Sequence, residues 1–501
     1  MQEPETNLNQ APNGMPPDGE PGGAPGGQGG SDVSHVGATE LTESETLSDQ
    51  SYSSTSSSEN ALLVSGATVN LSNPTIGKTG DDSGDSADFY GTNAAVFAYN
   101  NAVLNITGGT ITTNGSHANA VFAYDTGTIN ITKTNITTSS NNSGGIMVTG
   151  GGTLTATDLT VETYGNSSAP IRSDRGGGTL TVEGGSYTSN GVGSPAIYST
   201  ANIIVRNATL TATASEGVVI EGSNSVTLDS TTVTDTNNQL NGNSETYKNI
   251  FIYQSMSGDA EVGVGSFTAT NSTFVTNQGD HFFITNTKAI IFLTNNKFTN
   301  NDPSGTFLRA ESSKWGTTGA NGASVTLNVT NQEIIGNIII DDISSIDMMM
   351  TESYFKGAIA NNGVATLVLD ENSVLVLTSD SYLTILSNAV ADNSNIYANG
   401  YKLYVAGEEV GINQGTAPES FINTNTSTTE IEDVSSNGTT SDINIPVLVG
   451  CIFGGIIVVA AIVTLIIKLT KRQKPQDPTI IIDNEQKPTD NQTPPSPTNT
   501  I

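Results

Sequence analysis

The aliphatic residues in the first half of this chain return at a nearly constant step of about 25 residues, and that step restricts the fold more than any other feature. Val96, Val121, Ile146, Ile171, Ile197 and Val219 form one row, with intervals of 25, 25, 25, 26 and 22. Ile106, Ile131, Ala156, Val182, Val205 and Leu228 form a second, and Ile111, Ile136, Val161, Tyr187, Leu210 and Val233 a third. Within each unit apolar residues alternate with Asn and Thr, as in Leu104-Asn105-Ile106 and Ile129-Asn130-Ile131. That period of two belongs to strands with one buried face. Gly108-Gly109 and Gly150-Gly151-Gly152 punctuate the strands and exclude a helical unit. Short strands joined by tight corners, each unit stacked on the next, predict an all-β parallel β-helix with a column of aliphatics inside. The right-handed form is expected, because a coil of this length is long for the left-handed hexapeptide type. A β-sandwich, or a string of them, is the competing architecture, but it has no reason to keep a constant step.

Less regular rows extend the pattern: Phe267 and Phe274, Ile291 and Phe298, Val325 and Leu327, Ile338 and Ile340, Leu367 and Leu369, Leu383 and Ile385, Leu403 and Val405. The β-helix is therefore expected over 61–415. Residues 1–60, rich in Pro, Gly, Ser, Thr and Glu, read as a disordered leader, and 416–444 as a flexible stalk. From Ile445 to Ile467 no charge occurs, a stretch long enough to cross a bilayer as a helix. Lys468, Lys471, Arg472 and Lys474 follow directly, so the positive-inside rule places the 468–501 tail in the cytoplasm and the large N-terminal part outside the plasma membrane. The small residues of Gly450-Cys451-Ile452-Phe453-Gly454 suit a homodimer contact within that membrane helix. No signal peptide is evident between Met1 and Gly30.

With 49 acidic residues against 17 basic ones, the chain is a poor partner for nucleic acid. One cysteine excludes a disulfide framework, and three histidines offer no zinc spacing, so no cofactor or metal is expected. Asp81, Asp82, Asp85 and Asp88 match no EF-hand and read as an acidic loop rather than a Ca²⁺ site. If the first row points inward, its neighbours point outward. An exposed ladder of Phe97, Phe122, Met147, Arg172 and Tyr198 is then expected, with Tyr99, Tyr124, Thr149, Asp174 and Thr200 two residues along. Aromatic faces beside polar groups suit sugar rings or a protein surface. The expected ligand-binding residues are Phe97, Tyr99, Phe122, Tyr124, Arg172, Asp174 and Tyr198. Arg172-Ser173-Asp174-Arg175 also reads as a corner salt bridge, and the stretch from Tyr253 to Glu261 as a solvated corner. Asn105, Asn130, Asn135, Asn207, Asn271 and Asn328 head Asn-X-Ser/Thr triplets that permit N-glycosylation.

Phe274-Val275-Thr276-Asn277, Phe283-Ile284-Thr285-Asn286, Phe292-Leu293-Thr294-Asn295 and Phe298-Thr299-Asn300-Asn301 look like FxxN repeats, and Gly144-Gly145-Ile146 loosely like their GGA[IL] companion. In these motifs residues 61 to about 405 resemble pectin-lyase-like right-handed β-helix surface proteins of the polymorphic-membrane-protein or adhesin-like kind. The resemblance implies attachment to a glycan or a surface protein, without catalysis. The same fold class contains polysaccharide lyases and hydrolases, whose chemistry needs clustered acids or a base on one outer sheet. Asp174 with Arg172 or Arg175 is the one nucleus for such a site, with no second acid expected in its row. A passive surface spacer is the third reading.

Overall fold

The computed structural model describes residues 33–240 and 245–419. The stalk beyond Glu419, the membrane segment 445–467 with its dimer contact and the tail 468–501 lie outside these residues. Among the described residues no helix is long and apolar enough to cross a membrane.

The period-2 segments form strands, and each strand pairs in parallel with the strand one coil further on. The first sheet runs through 13 described strands from Glu40–Leu41 to Ile359–Asn361, the second through 14 from Glu45–Ser48 to Ile385–Asn388, and the third through 10 from Ser51–Ser54 to Lys297–Asn300. In the later coils a four-stranded sheet starts at Glu333–Ile335. Leu403–Val405 and Glu408–Glu409 close the fold with an antiparallel pair. The chain is a parallel β-helix.

Its register reproduces the sequence rows. Val96, Val121, Ile146, Ile171 and Ile197 are successive partners in the first sheet. Ile106, Ile131, Ala156, Val182, Val205 and Leu228 are partners in the second. Ile111, Ile136, Val161, Tyr187, Leu210 and Val233 are partners in the third. All join one continuous buried cluster, in which each large aliphatic contributes roughly 1.5–3 kcal/mol by burial. Corners require left-handed backbone: Gly109 has φ 80°, and a Cβ there would lie 2.2 Å from the Pro74 carbonyl oxygen. Outside, asparagines at matching positions form a ladder, with Asn130 donating to Asn105 at 2.8 Å and Asn105 to Asn70 at 2.9 Å.

Four readings need correction. The β-helix begins before residue 61, because Glu40–Leu41, Glu45–Ser48 and Ser51–Ser54 already form a coil paired with the next one. Leu41, Leu47 and Tyr52 are its apolar contributions to the core, so a composition dominated by Ser, Thr and Glu hides it. At the 22-residue interval the inward residue is Val218, the partner of Ile197, and Val219 points outward. Ile385 also points outward, opposite Thr366, while Leu386 takes the inward place opposite Leu367. The four FxxN copies are not equivalent either. Phe274 and Phe298 are partners in the third sheet, whereas Phe283 stands in the first and Phe292 in the second.

The interior is not wholly apolar. Asp235 is fully buried, and burial pushes its carboxyl up to about 8. The folded chain therefore holds a proton that the unfolded chain, titrating near 3.8, releases. The stability tied to that proton is complete below the unfolded value and disappears as pH rises through about 8. Urea midpoints measured from acid to pH 9 should fall less steeply for Asp235→Asn than for the parent chain. Ile131→Ala, which empties one place in the column, should lower unfolding free energy by about 2–5 kcal/mol in the same assay.

Candidate functional site

The outer face of the first sheet differs from the rest of the surface. One residue past each inward aliphatic stand Phe97, Phe122, Met147, Arg172, Tyr198, Val219, Phe251, Phe283 and Arg309, in register from coil to coil. Two residues further along, the same register carries Tyr99, Tyr124, Thr149, Asp174, Thr200, Glu221, Tyr253, Thr285 and Glu311.

The N-terminal part of this ladder is covered, contrary to expectation. Phe97, Phe122 and Met147 are buried, with Tyr99 and Tyr124 half-buried against them. His35 stacks on Phe97 at 4.4 Å, and Tyr90 meets Tyr124 edge-on at 6.0 Å. Tyr90 ends the short helix Asp85–Tyr90, which lies across the sheet. Gly91 caps that helix with φ 71°, and a Cβ there would come within 2.7 Å of the Phe97 ring and 2.9 Å of Phe122. His117 binds Asp88 of the helix at 2.8 Å, and Thr149 donates to the Phe89 carbonyl at 2.8 Å. Apolar rings on an outer face are thus buried by chain inserted between two coils. Phe97 and Phe122 serve as its seat.

Beyond this helix the face turns polar and remains largely buried. Arg172 binds Asp174 at 2.8 Å. Burial pushes Asp174 up to about 7 despite the nearby Arg172. Glu221 accepts from Tyr198 at 2.6 Å and from Tyr253 at 2.8 Å, with Ser255 on its other oxygen. Burial holds Glu221 above the usual carboxylate range and both tyrosines well above theirs. Lys248 pairs with Glu216 at 3.0 Å. Burial would raise Glu216, but Lys248 holds it low. Arg309 joins Asp280 at 2.6 Å and Glu311 at 3.2 Å. Val219, Phe251, Tyr253 and Phe283 form an aromatic floor among these ions, with Tyr198 and Trp315 packed on it. Phe251 stacks on Tyr253 at 4.3 Å, and Trp315 lies 4.9 Å from Tyr253.

Arg175 ties two covering segments together. Its Nε donates to Asp259 at 2.6 Å, its Nη1 to Asp85 at 3.3 Å, and its guanidinium lies 3.8 Å above the Phe89 ring. The expected solvated corner between Tyr253 and Glu261 is instead a structured cover: Ser255 reaches Glu221 and Asp259 reaches Arg175. Asp81 accepts from Ser116, Asp82 from Ser58, and Asp85 and Asp88 have their own partners, so the four aspartates do not converge. Among the described residues no group of three or more His, Cys, Asp or Glu side chains is placed to hold a metal.

Glu221 is the residue the sequence reading missed. Taking Val219 as inward shifted that coil by one place and put Glu221 on the wrong face. With Val218 inward, Glu221 falls in the row of Asp174, two coils along, and supplies the second acid thought absent. The signal was the shortened interval itself. The sequons lie outside the core, with Asn135, Asn207 and Asn271 exposed and Asn105, Asn130 and Asn328 half-buried.

No family model matches this sequence, and no curated protein or solved structure matches it either.

Buried ion pairs add little net stability, although breaking one costs about 3–5 kcal/mol. Their concentration on one face, with carboxyls shifted by burial, marks that face as the candidate site. Arg175→Gln removes the tie between the covers. Backbone hydrogen exchange should then rise several-fold in 85–90 and 254–263, and remain unchanged in the second and third sheets.

Proposed function

We propose that this chain is a single-pass plasma-membrane protein whose ectodomain, a right-handed β-helix of the pectin-lyase-like, adhesin-like kind, binds glycans or surface proteins through the outer face of its first sheet. The charge-free segment 445–467 with the basic residues after it supports the membrane placement. The observation that carries the binding role is the concentration on one face of the rings of Phe251, Tyr253 and Phe283, buried behind the half-buried Trp315, with the ions of Arg172, Asp174, Glu221 and Arg309 and the Tyr198 hydroxyl beside them. With the loop after Tyr253 displaced, these aromatic faces accept the C–H side of a sugar, and the carboxyl and guanidinium groups beside them select its hydroxyls or an acidic substituent. Elsewhere the outer rows of the regular coils are mainly Thr, Asn and Ser. A spacer needs no such face. In this reading Arg172, Asp174 and Tyr198 remain contact residues, and Phe97, Tyr99, Phe122 and Tyr124 hold the cover in place.

One observation favours a second reading, a polysaccharide-processing enzyme. Asp174 and Glu221 share a row two coils apart, about 9–10 Å by sheet spacing, near the upper limit for an acid and a base acting across a water, which enters only when the covering segments open. Burial holds Asp174 near 7, so a proton is available at neutral pH.

A glycan array probed with the ectodomain distinguishes these readings. Trp315→Ala, at a half-buried edge position, should weaken binding about fivefold or more with folding unchanged by circular dichroism. Unaltered binding would remove the platform. Release of reducing or unsaturated ends from a panel of acidic and neutral polysaccharides, abolished by Asp174→Asn, would establish the enzyme. A panel without product leaves recognition as the function.

A further inference from the structure

The outer face of the second sheet changes character along the chain. Its middle row begins with Asn70, Asn105 and Asn130, hydrogen-bonded to one another. In the later coils it carries Phe292, Asn328, Met349 and Val368 as successive partners, before Ser387 in the last strand. Phe292 is 45% exposed and Met349 41% exposed, and Val364 and Ile385 of the same sheet are 48% and 52% exposed. Apolar side chains so open to water on a stretch of sheet mark a surface that something covers.

Asn328 stands in the middle of this stretch. It heads Asn328-Val329-Thr330, and strand alternation puts Asn328 and Thr330 on the same outer side, with Val329 inward. The other outward sequons differ in their surroundings: Asn135 is exposed between Thr110 and Thr160, which offer a sugar no apolar side chain to cover. Asn105 and Asn130 spend their amide nitrogens on the asparagine ladder, and Asn207 donates to Glu183. The oxygen of Asn271 accepts from Asn295 at 2.7 Å. The in-register neighbours of Asn328 are Phe292 and Met349, which carry no hydrogen-bonding group to occupy its carboxamide.

We propose that Asn328 carries an N-linked glycan whose innermost N-acetylglucosamine lies over Phe292 and Met349 and covers this apolar stretch. The inference rests on the extracellular placement proposed above. In the transfer, Nδ2 of Asn328 bonds to C1 of the sugar and gives up one proton. The bond from C1 to a polyprenyl-diphosphate carrier breaks, and the diphosphate leaves with the electron pair. Adjacent coils lie about 4.8 Å apart, so a sugar attached at Asn328 meets the ring on one side and the thioether on the other. Its C–H face and acetyl methyl group pack against both.

The full chain, produced in a eukaryotic host that glycosylates secreted proteins, tests this through site-by-site occupancy from peptide mass spectrometry after enzymatic deglycosylation in heavy-oxygen water. Asn328 should be occupied on most chains. Thr330→Ala, which abolishes the sequon and keeps the asparagine, should lower the melting temperature and raise binding of a hydrophobic dye. Both differences should vanish on a Phe292→Ala background, since the sugar then has no ring to cover. A bare Asn328 beside occupied Asn135 or Asn271 overturns this inference alone. In that case dimerisation or vesicle binding, lost in Phe292→Ala, would identify the occupant as a second copy or a lipid surface. Sequons bare at every position would overturn the extracellular placement as well. Occupancy without a Phe292-dependent stability difference would overturn the packing of sugar on ring.

Discussion

Burial of one aliphatic side chain on the equivalent side chain of the next coil is the interaction on which everything else in this protein depends. The chain has no disulfide framework and, among the described residues, a single short helix. Each coil is too small to bury its own apolar residues, so it completes its interior only by stacking. Parallel pairing then follows, because keeping a column of Val, Ile and Leu in line forces equivalent residues into register. A shift of one place would turn every inward side chain to solvent. The same constraint arranges the outer surface: whatever stands beside an inward residue recurs along the sheet every coil.

That regularity makes departures from it informative. The second and third sheets carry mainly Thr, Asn and Ser on their outer rows through the regular coils, residues suited to strands and indifferent to partners. The first sheet carries aromatic rings and ions, and three segments lie over it: the stretch around His35, the helix Asp85–Tyr90 and the loop after Tyr253. Arg175 links the last two. Water is thereby excluded from Asp174, Glu221, Tyr198 and Tyr253, and their shifted protonation follows from that exclusion. A fold that needed only stability would have filled the same volume with aliphatics at less electrostatic expense.

Where the step held at 25 or 26, inward and outward positions could be read directly, and Arg172 and Asp174 were found as a pair. Where it shortened between Ile197 and Val218, Val219 was as good an aliphatic as Val218, and hydrophobicity alone had no means of choosing between them. Hydrogen bonding to the neighbouring coils makes that choice, and Glu221 follows from it. The first coil escaped notice for a related reason. Leu41, Leu47 and Tyr52 supply one interior residue per strand, too few to raise the apolar content of a Ser-rich stretch.

The sequence by itself determined the repeat, the strand periodicity, the identity of most interior residues and the net acidity, because each of these is a local, periodic or compositional property of the chain. Tertiary structure alone decided which outward residues meet water. Phe97 and Phe122 point away from the interior as their parity requires, yet they are buried because a helix entering from the preceding corner lies on them. Asp174 and Glu221 come to share one row only after the intervening coil has taken its register. Contacts between segments far apart in the chain, such as Arg175 with Asp85 and Asp259, 90 and 84 residues away, leave no periodic trace, since a covering segment obeys the shape of the surface beneath it rather than the repeat.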